Sequence, residues 1–338
     1  MAKSSKVIRI AGITLGAVGL TLGAGFLWAS SQARARLAQH IETHRVELAV
    51  PTPLSEAELA ALRAERAAGS ASADPLAGLD LTALASERAI ARGKHLVTAR
   101  YGCEACHGAN FAGGVMLDDP AIGTLRGPNL TTGKGGLPAS YSVADWDRIV
   151  RHGVKPDGTP SLMPSQDFAA MSDQELSDVL AYVRSRPPVD AVVPASTLGP
   201  VGKVLLALGK FPISAEAIDD HHRAHTERAP ASADTAEFGA HLATTCTGCH
   251  RENLAGGPME FGPPGWPAAA NLTKDTKGLS AWTFEDFDRA LTEGISKDGH
   301  ALREPMTHVL PGTRAMTATE RKALWTYLRS LAAHPTNT

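Results

Sequence analysis

Aromatic residues are scarce. They make up 5% of a 338-residue chain that is 43% apolar overall. That length is enough for two ordinary domains with linkers, and two cores built on so few aromatics leave room for a large apolar group inside. A charge excess is missing too: Lys and Arg total 33, Asp and Glu 35, for a formal net charge of −2. No basic surface is available to neutralise nucleic-acid phosphates, which excludes nucleic acid as a partner class. Convincing strand patterns are also lacking. Stretches such as "GTLRGPNLTTGKGGLP" and "EFGPPGWPAAANLT" are rich in Gly and Pro and read as loops. Loops of that length inside a compact domain need something to organise them. Cysteine is limited to four residues, all in two short stretches, "GCEACHG" at 102–108 and "TCTGCHR" at 245–251.

One uncharged hydrophobic run is present, from Ile10 to Ala29, preceded by Lys3, Lys6 and Arg9. About 20 apolar residues suffice to cross a bilayer as a helix. The run is therefore expected to be a membrane anchor, spanning residues 1–31 with its flanks. A cleaved signal is the alternative, because small residues at 29–33 suit a peptidase. The spacing Gly12/Gly16 and Gly19/Gly23 is a weak helix-dimer signal. Arg34, Arg36 and Arg45 balance the preceding basic residues, so charge does not orient the helix.

The remainder contains a repeat. Cys103 and Cys246 are 143 positions apart, and "AGG" recurs at 112–114 and 255–257 with the same offset. "NLT" recurs at 129–131 and 271–273, and "DRIVRHGVKPDG" at 147–158 matches "DRALTEGISKDG" at 288–299. "MSDQELSDVLAYVRS" at 171–185 matches "MTATERKALWTYLRS" at 316–330. Two units follow, 86–187 and 234–333. Each is expected to open with a helix (86–100, 234–244) and close with another (172–186, 317–332), with capping boxes at Ser172/Glu175 and Thr317/Glu320. Residues 32–85 form a stalk with a capped Ala-rich helix near 55–69 and a flexible "GSASADP". Residues 188–233 are an inter-domain linker whose run "VGKVLLALGKFP" is expected to pack as a short helix across the domain interface, with a helix lying on the membrane as the alternative. Residues 334–338 are a tail.

Both cysteine stretches read Cys-x-x-Cys-His. A redox disulfide at this spacing belongs near a βαβ pattern, which is absent. A structural zinc needs about four ligands, and each unit offers two Cys and one His whose side chains diverge. A c-type haem accounts for all three residues: the thiols of Cys103 and Cys106, or Cys246 and Cys249, add to the two vinyl groups, and His107 or His250 faces the iron. Two covalently bound haem c groups are expected.

On "CEACHG", "CTGCHR", "GPNL" at 127–130, "LMP" at 162–164 and the closing helices with Tyr182 and Tyr327, the chain resembles class I c-type cytochromes of the membrane-anchored, tandem two-domain bacterial kind. The resemblance covers about 200 residues. It implies an all-α fold: two tandem class I cytochrome c domains preceded by a single N-terminal transmembrane helix. Gly93 and Gly239 look like the glycines at which the family's opening helix crosses the closing one. The family's proline carbonyl that holds the axial His would be Pro128. Ala270 stands at that place in the second unit. The sixth ligands would be Met163 and Met306, with His308 as the rival in the second unit, where "EPMTH" departs from the family's pattern. The resemblance also implies the bacterial inner membrane, single-pass, with haem domains in the periplasm.

The remaining histidines have plainer readings. His95 and His241 are expected as exposed helical residues, and His221, His222 and His225 as a solvated run rather than a metal site. The expected function is single-electron transfer without catalysis. The donor would be a periplasmic dehydrogenase or membrane respiratory complex, the acceptor a cytochrome or terminal oxidase, and the N-terminal helix would contact lipid. A di-haem peroxidase needs one open haem site, and a sensor needs an output domain that is not visible.

Overall fold

The structure, a computed structural model, describes residues 2–67, 74–138, 140–259 and 265–338, without the side chains of residues 2–13 and 15. Residues 69–73 of the "GSASADP" stretch expected to be flexible, part of the "EFGPPGWPAAANLT" stretch at 260–264, and the side chains of Lys3, Lys6 and Arg9 lie outside the described residues. In chain order the helices are α1 (Ala2–Ala38), α2 (Glu56–Ala67), α3 (Leu81–His95), α4 (Glu104–His107), α5 (Val143–His152), α6 (Asp173–Arg184), α7 (Pro200–Ala207) and α8 (Ser214–Ala217). They continue as α9 (Ala236–Ala243), α10 (Thr247–His250), α11 (Phe284–Thr292), α12 (Met306–Ala315) and α13 (Ala318–Ser330).

The opening and closing helices of each unit form where expected, and both capping boxes are present: Ser172 with Glu175, and Thr317 with Glu320. The helices cross at glycine. A Cβ on Gly93 would lie 1.9 Å from the Asp178 carbonyl oxygen of α6 and 2.8 Å from the Tyr182 Cβ. On Gly239 it would lie 2.0 Å from the Ala323 carbonyl oxygen of α13 and 2.7 Å from the Tyr327 Cβ. Backbone cannot swing aside as a side chain can. Gly93→Ala should therefore push α3 off α6 and cost about 3 kcal/mol, the upper part of the range for overpacked cores. Thermal unfolding of the haem-loaded protein checks this; an unchanged midpoint would show that the helices separate freely.

The all-α expectation is corrected by a small antiparallel sheet, β1 (Gly114–Asp119), β2 (Gly123–Gly127) and β3 (Thr197–Leu198), in the order β1-β2-β3. Gly114 pairs with Gly127, Asp119 with Gly123, and Thr124 with Thr197. The Asp119 carboxylate closes the hairpin by accepting from the Ala121 and Ile122 amides, each at 2.8 Å. The strands were hidden because they are short, flanked by glycine, and half exposed. Val115 and Met116 face solvent, so no apolar alternation marks them. Among the described residues of the second unit, the corresponding hairpin is reduced to one bridge, Gly257 to Ala269. Pro258 and Pro267 beside it lack the N–H a ladder needs.

The transmembrane expectation is also overturned. Among the described residues no helix is long and apolar enough to cross a membrane. This removes the single-pass inner-membrane placement, and the lipid contact loses its basis with it. Residues 10–13 and 15 of the uncharged run lie outside the described side chains. The far end of the run packs within the protein. Ala29 and Ala33 are buried, α1 lies along α7, and Arg36 pairs with Glu216 and the Leu206 carbonyl. The linker run thus forms a packed helix, as expected, but against α1 and the first unit. Ala33, Val154, Leu206, Ile213 and Ala215 form one small core there.

Candidate functional site

In the first unit α3 loosens into a wider turn over Leu96–Arg100 before the Cys-x-x-Cys-His segment. Cys103 and Met163 pack against one apolar cluster that includes Phe111, Trp146 and Leu180. The His107 ring is buried, and its Nδ1 donates to the Pro128 carbonyl at 2.9 Å. Burial pushes the imidazole below its usual pKa against the opposing pull of that bond. The ring is therefore neutral near pH 7, its proton on Nδ1 and its lone pair on Nε2, as a metal ligand requires. The first two strands hold this arrangement. A Cβ on Gly127 would come within 2.3 Å of the Cys106 carbonyl oxygen and 3.1 Å of His107 Nδ1, so the hairpin reaches the motif only because glycine stands there.

The second unit repeats the construction. Cys246 and Met306 pack on a cluster with Leu254, Phe287 and Leu324. His250 Nδ1 donates to the Ala270 carbonyl at 2.7 Å, so replacement of proline by alanine leaves the acceptor in place. Burial lowers the His250 pKa as it does that of His107. It also pushes the Cys103 thiol up to about 12 and the Cys246 thiol to about 11. Neither is a ready thiolate for disulfide exchange or for zinc.

The other methionines lie elsewhere. Met171 and Met316 are buried core residues, and Met116 is exposed on β1. His308 is exposed, 3.7 Å from Glu304. Asn129 and Asn271 stand out in the sequence only as parts of a repeat and, for Asn129, of "GPNL". Each is buried and anchors the segment that follows its closing helix: Asn129 donates to the Val189 carbonyl at 2.8 Å, Asn271 to the His334 carbonyl at 2.8 Å. The recurrence of "NLT" was the available signal.

His95 and His241 are not free surface residues. His95 Nε2 lies 2.8 Å from Glu320 in the second unit, and His241 Nε2 lies 3.0 Å from Glu175 in the first. Each unit thus offers the carboxylate of its capping box to the opening-helix histidine of the other. Arg100 adds to the second pair, bonding both Glu175 and the His241 carbonyl. Burial would raise the Glu175 carboxyl, but the His241 bond and the Arg100 charge outweigh it and draw the pKa down to about 2. The bond to Glu320 raises His95 above its ordinary 6.5 by more than burial lowers it. The Glu175 contribution is therefore full above the ordinary carboxylate range and lost as pH falls toward about 2. The His95 contribution is full below 6.5 and lost as pH rises through its raised value. Contact between the units should be tightest from about pH 5 to 6.5 and loosen above neutrality. Hydrogen exchange of α9 and α13 at pH 6 and pH 9 measures this, and equal protection at both would remove the His95 pair as a contributor.

The same interface sets each motif beside the other unit's methionine loop. A Cβ on Gly248 would lie 2.7 Å from the Asp167 carboxylate, four residues past Met163. Gly312, on the helix that begins at Met306, packs over the Thr98 and Ala99 carbonyls just ahead of Cys103.

The cytochrome c family model matches residues 90–187 and 236–332. The chain is 29% identical over 304 residues to the gluconate 2-dehydrogenase cytochrome c subunit of Pantoea cypripedii, covering 76% of this chain and 64% of that one. It is 26% identical over 279 residues to the fructose dehydrogenase cytochrome subunit of Gluconobacter japonicus, covering 74% and 54%. It is 26% identical over 257 residues to a diheme cytochrome c-type protein of Cereibacter sphaeroides, covering 69% and 82%. The chain spans roughly half to two thirds of the two dehydrogenase subunits it matches. With more than half its length matched in two copies, the chain belongs to the cytochrome c family, as a tandem member with two covalently bound haem c groups that transfers electrons and is not itself a catalyst.

Proposed function

We propose that the chain is the cytochrome subunit of a dehydrogenase complex, taking electrons singly from the dehydrogenase and passing them to a further cytochrome or an oxidase. In this reading Cys103, Cys106, Cys246 and Cys249 carry the thioether bonds. His107 and His250, together with Met163 and Met306, would ligate the two irons. The haems supply one-electron redox chemistry when bound. The Pro128 and Ala270 carbonyls fix the two imidazoles, and the two apolar clusters exclude water around the methionines.

The observation that carries the proposal is the reciprocal interface. The Cys-bearing segment of each unit lies against the methionine side of the other, an arrangement suited to electrons crossing within one chain. The names of the two dehydrogenase subunits support the choice of donor. Co-purification tests it: a tagged chain should bring down a dehydrogenase whose substrate reduces both haems. If no dehydrogenase accompanies the chain and sugar, sugar-acid and alcohol substrates leave both haems oxidised in the parent extract, the proposal fails. Turnover of hydrogen peroxide would favour the peroxidase alternative instead.

A further inference from the structure

Histidines expected to be solvated in the linker converge with two others. His44 from the segment after α1, His152 from the last turn of α5 and His225 from the linker present one ring nitrogen each, all within 4.8 Å of one another. His152 is fully buried and the other two are half-buried. The rings do not simply stack; their planes meet at 45° to 86° with centroids 5.1–5.4 Å apart. Hydrogen bonds fix which nitrogen each ring presents. His44 Nδ1 donates to the His221 carbonyl at 2.9 Å, leaving the Nε2 lone pair free. His221 Nε2 donates to the Ala215 carbonyl at 2.9 Å, so its Nδ1 accepts from His152 Nδ1 at 3.2 Å, and His152 too keeps its lone pair on Nε2. His152 Nε2 and His225 Nε2 are 3.3 Å apart. If both carry lone pairs, a shared cation relieves their mutual repulsion.

A carboxylate stands beside His152. Arg151 engages Asp147 through Oδ1. Asp147 Oδ2 is buried without a hydrogen-bond partner and lies 3.7 Å from His152 Nε2. The Arg151 charge does not forbid a cation, because Asp147 and Asp173 both pair with it. We propose that His44, His152 and His225, with Asp147 as fourth donor, bind one divalent cation of the zinc class. Three imidazoles and a carboxylate suit tetrahedral zinc and do not suit magnesium or calcium, which take oxygen donors. Each ring's second nitrogen held by a carbonyl or another ring is the support such ligands ordinarily have. The site is separate from the repeated haem machinery: Glu293 occupies the position of His152 in the second unit. The ion would pin the segment after α1 and the linker to the first unit, a structural role.

The test uses the holoprotein, in which the cysteines are consumed by haem. After chelation, dialysis against zinc and desalting, elemental analysis should give one zinc beside two irons, with magnesium and calcium not retained. His44→Gln and His225→Gln should each weaken zinc binding at least tenfold with haem content unchanged, and the exposed His222→Gln should not. Zinc-edge X-ray absorption of the parent should show nitrogen and oxygen ligands with three imidazoles. No retained zinc, equal retention by the two cluster variants, or fewer than three imidazoles would overturn the site; the absorption result decides should a variant fail to load haem.

Discussion

Replacing Cys246 and Cys249 together by serine will leave a chain that carries one haem instead of two. Serine oxygen does not make the thioether bond, and His250 with Met306 alone cannot retain haem through denaturation. A haem-stained denaturing gel should lose about half its signal, and the mass should fall by about one haem after allowance for the substitutions. The first unit should keep its own group, since its Cys103, Cys106, His107 and Pro128 all come from residues 103–128. The consequence for stability will be larger than for an ordinary core substitution. Cys246, Met306 and Trp282 only border the second cluster and are partly buried, so the haem would complete the packing on that side. Truncating one buried side chain costs at most about 5 kcal/mol; removing a whole haem takes away far more contact area. The second unit should lose cooperative unfolding, and the His95–Glu320 and His241–Glu175 pairs should go with it. Retention of two haems would mean that one is held by something other than this motif.

The pattern of what the sequence revealed follows from where the information is local. Helix periodicity and the Ser172/Glu175 and Thr317/Glu320 boxes are written within a few residues, and both closing helices form as expected. The glycine crossings were legible through the resemblance, and the close approaches to Asp178 and Ala323 give the physical reason. The three-stranded sheet was not legible, because β3 is two residues long and joins β2 from about 70 positions away. The inter-unit pairs escaped for a related reason. His95 and Glu320 are 225 positions apart, and a polar helical residue looks solvent-facing until the partner unit is in place. The histidine cluster joins positions 44, 152 and 225, and only one of these lies in the run that composition singles out. The anchor expectation rested on the uncharged run alone and is overturned by the finding that no helix among the described residues is long and apolar enough to cross a membrane.

Met306→Ala should lower one of the two midpoint potentials by on the order of 0.1 V, a modest part of the ≈0.8 V over which axial ligands set haem potentials. Thioether favours the reduced iron, so its removal moves the potential down. The same substitution should erase about half of the methionine–iron charge-transfer band of the oxidised protein and let carbon monoxide bind one haem. Met163→Ala should do the same at the other haem. The structural grounds for Met306 over its neighbours are specific. Met306 is half-buried against the cluster that borders Cys246, whereas the His308 side chain is 62% exposed and faces Glu304. Met316 is buried beside the closing helix, and Met259 follows His250 by only nine residues. His308→Ala should therefore leave the band, the potentials and carbon monoxide binding unchanged. Redox titration followed at the haem bands, with the three variants side by side, separates the alternatives. A Met306→Ala protein with an intact band and unchanged potential, beside a His308→Ala protein that loses them, would move the sixth ligand of the second haem to the imidazole and make the two haems chemically unlike.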